Sequence, residues 1–237
     1  MQSTHAIEYA EPRYLRYVNF TPNDPDYGRQ WYIRKIQADK AWDVTKGDTS
    51  VIIGMVDTGI DWRHPDIRPN LWHNPHPGQN PNYPADSIGW DFGGLNGTPD
   101  NNPDEDRADH GTGTAGVASA AADNAVGIAG VGFKCKVMAV KTSQDNARDA
   151  NNFPFILYGY EGMVYAADNG ASIINASWGG EGYSQFEQEV IKYVTGKGAL
   201  VVAAAGNGGS NEPIYPAGYA HVLAVAATDS TDHRSVW

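Results

Sequence analysis

The sequence is short of basic side chains, and this shortage limits what the protein can bind. Its 237 residues contain 17 Lys and Arg against 28 Asp and Glu, a formal net charge of −11. Binding of nucleic acid relies on clustered Lys and Arg, so we expect no nucleic-acid partner. The length is sufficient for one domain with a sizeable core.

Long apolar runs and paired cysteines are also missing. No apolar stretch approaches membrane-spanning length, and no basic segment followed by an apolar one opens the chain, so we expect no membrane partner. The single cysteine, Cys135, cannot form an internal disulfide. It precedes the apolar run VMAV, which predicts a small core residue rather than a catalytic thiol.

Five short apolar runs predict the strands of a sheet. None alternates between apolar and polar residues, as is typical of parallel strands covered on both faces. They occupy residues 51–56, 136–140, 171–177, 200–205 and 222–227. Helical patterns over 114–122, 160–170 and 186–194 lie between them, the last with Phe186, Val190, Ile191 and Val194 along one stripe. This alternation predicts a doubly wound α/β domain with a mostly parallel sheet.

Two segments stand outside this pattern. Residues 1–20 have no helical periodicity, which favours an extended arm. Residues 68–109 are rich in Pro, Asn and Gly, which predicts a loop. Its acids are Asp86, Asp91, Asp100, Asp104, Glu105, Asp106 and Asp109. They are typical either of a solvated surface loop or of a calcium site, because calcium prefers carboxylate and carbonyl oxygens on irregular backbone.

The triplet Asp57-Thr58-Gly59 ends the first apolar run and has two known uses in enzymes. In aspartic proteases it supplies one of two carboxylates that share a proton. That use requires a second copy, or a small symmetric dimer, in a mostly β protein, and this α/β sequence has no second Asp-Thr-Gly or Asp-Ser-Gly. In a serine-hydrolase triad, a buried acid orients a histidine base. His110, in DHGTGTAG at a predicted helix start, is the candidate histidine.

A third candidate, Asn207, follows the apolar run VVAAA. Its amide is expected at the carboxyl end of a strand, where open α/β sheets bind ligands. An amide donor there can stabilise a developing oxyanion. Considered alone, Asn207 would instead be interpreted as an Asx-turn residue that closes the strand.

These three segments, in this order, resemble the subtilisin-like serine proteases (subtilases), with the thermitase-like branch nearest. VDTGIDWRHPDI resembles the aspartate motif, HGTGTAG the histidine motif and AAAGN the oxyanion segment, and the resemblance covers the chain from about residue 21 onward. It implies a serine endopeptidase in which Asp57 orients His110 and Asn207 completes the oxyanion hole. NASWGG resembles the substrate strand, so Ser177, Trp178, Gly179 and Gly180 would bind extended polypeptide substrate by strand addition.

The resemblance also implies a structural calcium ion. Its ligands would be the side chains of Asp24, Asp66 and Asn124 and the carbonyl oxygens of Ala121, Val126 and Ile128. A second calcium site in the acidic loop, using Asp91, is a further interpretation.

Two departures from the family pattern set the expected domain boundaries. Residues 1–20 resemble the end of an inhibitory propeptide, and residues 21–237 a catalytic domain incomplete at its carboxyl end. The family's nucleophile lies in a Gly-Thr-Ser motif, which this sequence does not contain. We therefore expect a fragment of a secreted, extracellular zymogen that is inactive without the missing serine, with polypeptide substrates and its own propeptide as partners. The alternative is a non-catalytic remnant, a pseudoprotease, that binds peptide or calcium.

Overall fold

A computed structural model describes residues 10–15, 20–107 and 109–235 of the protein. The strands are β1 (Ile52–Asp57), β2 (Gly89–Leu95), β3 (Thr98–Asp100), β4 (Lys136–Lys141), β5 (Ile173–Ala176), β6 (Leu200–Ala204) and β7 (Val222–Val225). The α-helices are α1 (Trp31–Lys35), α2 (Ala38–Trp42), α3 (His110–Ser119), α4 (Gly159–Asp168) and α5 (Gln185–Gly196). None of the described helices has the length and apolarity needed to cross a membrane.

The strands form one sheet in the order β3-β2-β4-β1-β5-β6-β7. Every pairing is parallel except that of β2 with β3. From β1 the chain builds β2 and β4 on one side and β5, β6 and β7 on the other. The carboxyl end of β1 therefore lies where the direction of winding reverses, which is the place where open α/β sheets bind ligands.

Helices cover both faces of this sheet, which confirms the predicted doubly wound α/β fold. On one face Met55 and Val137 pack with Ala115 of α3. On the other face, β-strand side chains pack with Met163 of α4 and Ile191 of α5. Cys135 is buried in the cluster on the α3 side, as predicted.

The prediction of a loop over 68–109 is wrong for its second half, which contains β2 and β3. The glycines of GWDFGGL are usually turn signals, but Gly89 is needed for close packing. A Cβ there would lie 1.7 Å from the carbonyl oxygen of Ala139. Asp86, Asp91 and Glu105 of this segment are buried, so the interpretation of its acids as a solvated loop is also wrong for them.

The helix predictions need smaller corrections. The prediction that Phe186 lies on the apolar stripe of α5 is wrong: its side chain is 71% exposed, because the buried face of the helix begins at Gln188. The helix predicted over 114–122 begins earlier, at His110. The arm predicted over 1–20 falls largely on residues 1–9 and 16–19, which lie outside the described residues.

Candidate active site

The carboxylate of Asp57 is fully buried at the carboxyl end of β1, and neighbouring donors satisfy it. Its Oδ1 accepts a hydrogen bond from the backbone N–H of Thr58 at 2.7 Å and lies 2.7 Å from Nδ1 of His110. The hydroxyl of Thr114 donates to Oδ2 at 3.4 Å. These donors offset the cost of burying the carboxylate. The structure thus brings together the acid and the histidine that the sequence motifs indicate.

His110 opens α3, and its half-exposed side chain faces the carboxyl edge of the sheet. The hydrogen bond to Asp57 raises the pKa of His110, and the charges of Glu105 and Asp109 add to this effect, whereas burial opposes it. Because a carboxylate oxygen accepts, the ring hydrogen lies on Nδ1. This leaves Nε2 as the atom able to exchange a proton.

Glu105 is a site residue that no sequence motif distinguishes from the other acids of the 68–109 segment. Its carboxylate accepts hydrogen bonds from the backbone N–H groups of Gly111 and Thr112 at 3.0 and 2.9 Å. Carboxylates stabilise helix N-termini in this way. It also accepts from the hydroxyl of Thr58, which adjoins Asp57. Burial would raise the pKa of Glu105, but the hydrogen bonds from Thr112 and Thr58 lower it overall.

The Asp57–His110 pair opens on a cleft of about 590 Å³. The segment from Ser177 to Gly180, which follows β5, lines the same cleft. Aromatic side chains supply much of the remaining wall: Phe153, Phe155, Tyr160, Trp178 and Tyr215. All four predicted substrate-binding residues therefore lie at the cleft that contains the acid and the histidine.

The backbone groups of this segment are not equivalent. Gly180 exchanges two hydrogen bonds with Tyr215, at 2.9 and 2.8 Å, so its N–H and C=O are already used. Among the described residues, no backbone group forms a hydrogen bond with Gly179. The N–H and C=O of Gly179 are therefore available to a ligand. A Cβ on Gly179 would lie 2.5 Å from the Ile214 side chain, so close packing requires glycine here.

Asn207 lies in the exposed loop after β6 and is not among the described residues that line the cleft. Strand β6 pairs with β5, and Ser177 follows β5 directly. Asn207 therefore shares the carboxyl edge of the sheet with the cleft without forming part of its wall.

The predicted calcium ligands converge around one loop. Asp24 and Asp66 are buried, and the Asp66 carboxylate accepts hydrogen bonds from the Asn124 amide and the Ile128 backbone N–H, both at 2.9 Å. Asp24 accepts from the backbone N–H of Asp123 at 2.7 Å. No ion pair between described residues includes either carboxylate.

Two buried acids with no cationic partner among the described residues, packed against the loop that carries Asn124 and Ile128, fit the donor chemistry of calcium. Gly127 allows this loop to approach closely, since a Cβ there would lie 2.3 Å from Oδ2 of Asp66. A cluster of three or more His, Cys, Asp or Glu side chains able to hold a metal is not found among the described residues. Carbonyl oxygens would therefore have to complete the shell.

Asp91, for which the sequence suggested a calcium ion as partner, forms an ion pair with Lys141. Its carboxylate lies 3.3 Å from the buried ammonium of Lys141, which also pairs with Asp106 and Asp145. Burial raises the pKa of Asp91 to about 6, even though hydrogen bonds from Gly94 and the charge of Lys141 oppose the shift. Lys141 therefore supplies the positive charge beside Asp91, and the use of Asp91 as a calcium ligand stays a prediction.

Comparisons with known proteins point to one family. The profile of the subtilase family matches residues 48–237. The chain is 38% identical to a thermophilic serine proteinase of Bacillus sp. (strain AK1), across 95% of this chain and 50% of that protein. It is 37% identical to thermitase of Thermoactinomyces vulgaris, across 91% of this chain and 68% of that protein. The chain thus spans half the length of the first of these relatives.

A solved structure also resembles the chain. It belongs to a set described as proteases from Pseudoalteromonas arctica PAMC 21717, with a TM-score of 0.74 and 25% sequence identity. The match covers 92% of this chain and 68% of that one.

Proposed function

The chain belongs to the subtilase family, and from that premise we propose that it forms part of a serine endopeptidase with an Asp-His-Ser triad. The observation that carries the proposal is the 2.7 Å contact between the buried Asp57 carboxylate and Nδ1 of His110 at the wall of the cleft. A buried acid that orients a histidine in this way is the support that a general base requires.

In the proposed reaction, His110 moves the proton. Its Nε2 takes the proton from a serine hydroxyl as the oxygen attacks the scissile carbonyl, and later gives it to the leaving amine. Asp57 stabilises the imidazolium formed between these steps. The raised pKa of His110, caused first by the hydrogen bond to Asp57, agrees with this role.

The proposal takes the nucleophilic serine from a part of the protein beyond the 237 residues. Ser177 is the one serine among the described residues of the cleft wall, and its hydroxyl accepts a hydrogen bond from the Asn175 amide at 2.9 Å. We assign Ser177 and Gly179 to the binding of extended substrate, because the backbone of Gly179 is unused. Asn207, on the neighbouring strand, is the proposed oxyanion donor.

Three further assignments belong to the same proposal. Asp24, Asp66 and Asn124, with the carbonyls of Ala121, Val126 and Ile128, would hold a calcium ion that ties the chain near residue 24 to the loop after α3. Residues 1–20 would be the end of an inhibitory propeptide. The protein would be exported and would act on extracellular polypeptides.

The test begins with the coding sequence that follows the codon for Trp237. An in-frame Gly-Thr-Ser motif supports the proposal, whereas a genuine stop codon favours a non-catalytic remnant. The longer protein is then assayed on an unstructured protein substrate with and without a serine-directed inhibitor. We expect inhibitor-sensitive cleavage that is lost in His110→Ala. A folded protein without such cleavage would overturn the proposal.

A further inference from the structure

Helix α5 begins with an unusual cap that leaves a carboxylate at the cleft. Ser184 caps the helix by accepting from the backbone N–H of Glu187 at 3.4 Å. In a capping box the glutamate side chain would return to the N–H of the cap residue. Here the Ser184 N–H donates to the hydroxyl of Tyr219 at 2.9 Å, and Tyr219 donates to Glu187 Oε2 at 2.5 Å. Because Tyr219 takes over this contact, the Glu187 side chain can line the cleft.

The cleft wall around Glu187 contains no Lys or Arg among the described residues, and its one histidine, His110, pairs with Asp57. The wall contains four carboxylates, those of Asp57, Asp109, Glu181 and Glu187. None of the ion pairs between described residues includes Glu187. Burial, reinforced by Glu187, raises the pKa of Tyr219 to about 12, so this tyrosine remains a hydrogen-bond donor.

Two aromatic rings, those of Tyr160 and Trp178, line the cleft on the side of this carboxylate. The ring of Tyr160 lies 6.3 Å from that of Tyr219, the hydrogen-bond partner of Glu187. Tyr160 and Trp178 meet edge to face, with ring centroids 5.7 Å apart. The Trp178 ring is fixed by a 2.7 Å hydrogen bond from Nε1 to the carbonyl oxygen of Val56. Aromatic faces combined with a carboxylate attract organic cations.

We propose that this corner of the cleft, formed by Tyr160, Trp178 and Glu187, binds a Lys or Arg side chain of the peptide substrate. The inference rests on the proposed function only in taking the cleft as a peptide-binding site. An apolar side chain would cover the Glu187 carboxylate without providing a partner, which is unfavourable, and an acidic one would be repelled. Trp178 adjoins Gly179, whose backbone is available to the peptide, so a bound chain would pass beside this corner.

The test measures peptide binding by the 237-residue chain, which requires no catalysis. A set of Ala- and Ser-based octapeptides carries one Lys, moved through the positions, and a matched set carries norleucine instead. Affinity is followed by fluorescence anisotropy at low and high salt. We expect one position at which Lys binds at least about fivefold more tightly than norleucine, with the difference reduced by salt.

Variants attribute this preference to Glu187. In Glu187→Gln, which can still accept from Tyr219, the preference for Lys should disappear, and in Glu187→Lys it should reverse. The matched control is Glu189→Gln, which removes an exposed charge from the same helix outside the cleft wall and should retain the preference. Thermal unfolding of each variant verifies that it folds.

The remaining outcomes separate the inference from its premise. Peptides that bind equally well with Lys and norleucine overturn the basic-residue site and leave the peptide cleft intact. A preference for Lys that persists in Glu187→Gln overturns the assignment to Glu187. Failure of every peptide to bind overturns the premise that the cleft takes peptides, and the inference with it.

Discussion

Glu105 accepts a hydrogen bond from the hydroxyl of Thr58, although 47 residues separate them in the sequence. The backbone N–H of Thr58 donates to Asp57, and the Glu105 carboxylate also holds the first N–H groups of the helix that begins with His110. One carboxylate therefore connects the strand that carries the acid to the helix that carries the histidine. We interpret Glu105 as a positioning residue for this pair.

The first prediction concerns Glu105→Gln. Removing its charge should lower the pKa of His110, because Glu105 is one of the charges that raise that pKa. The loss of a charged acceptor at the start of α3 should also cost about 1 kcal/mol in the free energy of unfolding. The pKa is measured by NMR titration of the His110 ring, and the stability by urea unfolding.

Asp109→Asn is the matched control for Glu105→Gln. Asp109 also raises the pKa of His110 but contributes less than Glu105. The pKa of His110 should therefore fall further in Glu105→Gln than in Asp109→Asn. An equal or smaller fall would contradict the role of Glu105.

The second prediction is a dependence of stability on pH. The folded-state pKa of His110 is raised above 6.5, principally by the hydrogen bond to Asp57. Its contribution to stability is therefore fully present below about 6.5 and is lost as the pH rises through the folded-state value. In Asp57→Asn this fall should be much smaller, whereas Asp100→Asn, an exposed control, should leave it unchanged. Urea unfolding at a series of pH values provides the curves, and parallel curves for wild type and Asp57→Asn would refute the assignment.

The third prediction compares the two lysines at the ends of β4, Lys136 and Lys141. Lys141 is buried beside Asp91, Asp106 and Asp145, so Lys141→Met should cost about 3–5 kcal/mol of unfolding free energy by leaving the buried Asp91 carboxylate without a cation. Asp91 would lose an attractive charge, which should raise its pKa above the present value of about 6. Lys136→Met, at the other end of the strand, removes one bond to the Pro69 carbonyl and should cost about 1 kcal/mol or less. Similar losses in the two variants would contradict this account.

Local sequence patterns predicted the parallel sheet, and the resemblance of two motifs to those of the subtilases predicted the Asp57–His110 pair. Apolar runs identify strands covered on both faces, and parallel strands bring their carboxyl ends to one edge. Strand β2 was missed because its glycines and its acid resemble a loop. Gly89 is required because the Ala139 backbone packs against it, and Asp91 can be buried because Lys141 lies beside it. Contacts between distant segments of this kind have no local signature.

The fourth prediction tests the calcium assignment. If a calcium ion binds the folded chain and not the unfolded one, a hundredfold excess over its Kd should add about 2.7 kcal/mol to the unfolding free energy. The Tm should rise with added calcium and fall with a chelator. Asp66→Asn should abolish this response, whereas Asp100→Asn should retain it. A Tm that a chelator does not change would exclude the site.

The fifth prediction compares two adjacent glycines of the cleft wall. A Cβ on Gly179 would lie 2.5 Å from the Ile214 side chain and 3.1 Å from the Tyr215 carbonyl oxygen, whereas a Cβ on Gly180 meets nothing within 4 Å. Gly179→Ala should therefore cost about 1–3 kcal/mol of unfolding free energy through overpacking, and Gly180→Ala much less. Peptide affinity should fall in Gly179→Ala, because the displaced residue carries the available N–H and C=O. Equal peptide affinity in the two variants would mean that Gly179 does not bind the peptide backbone.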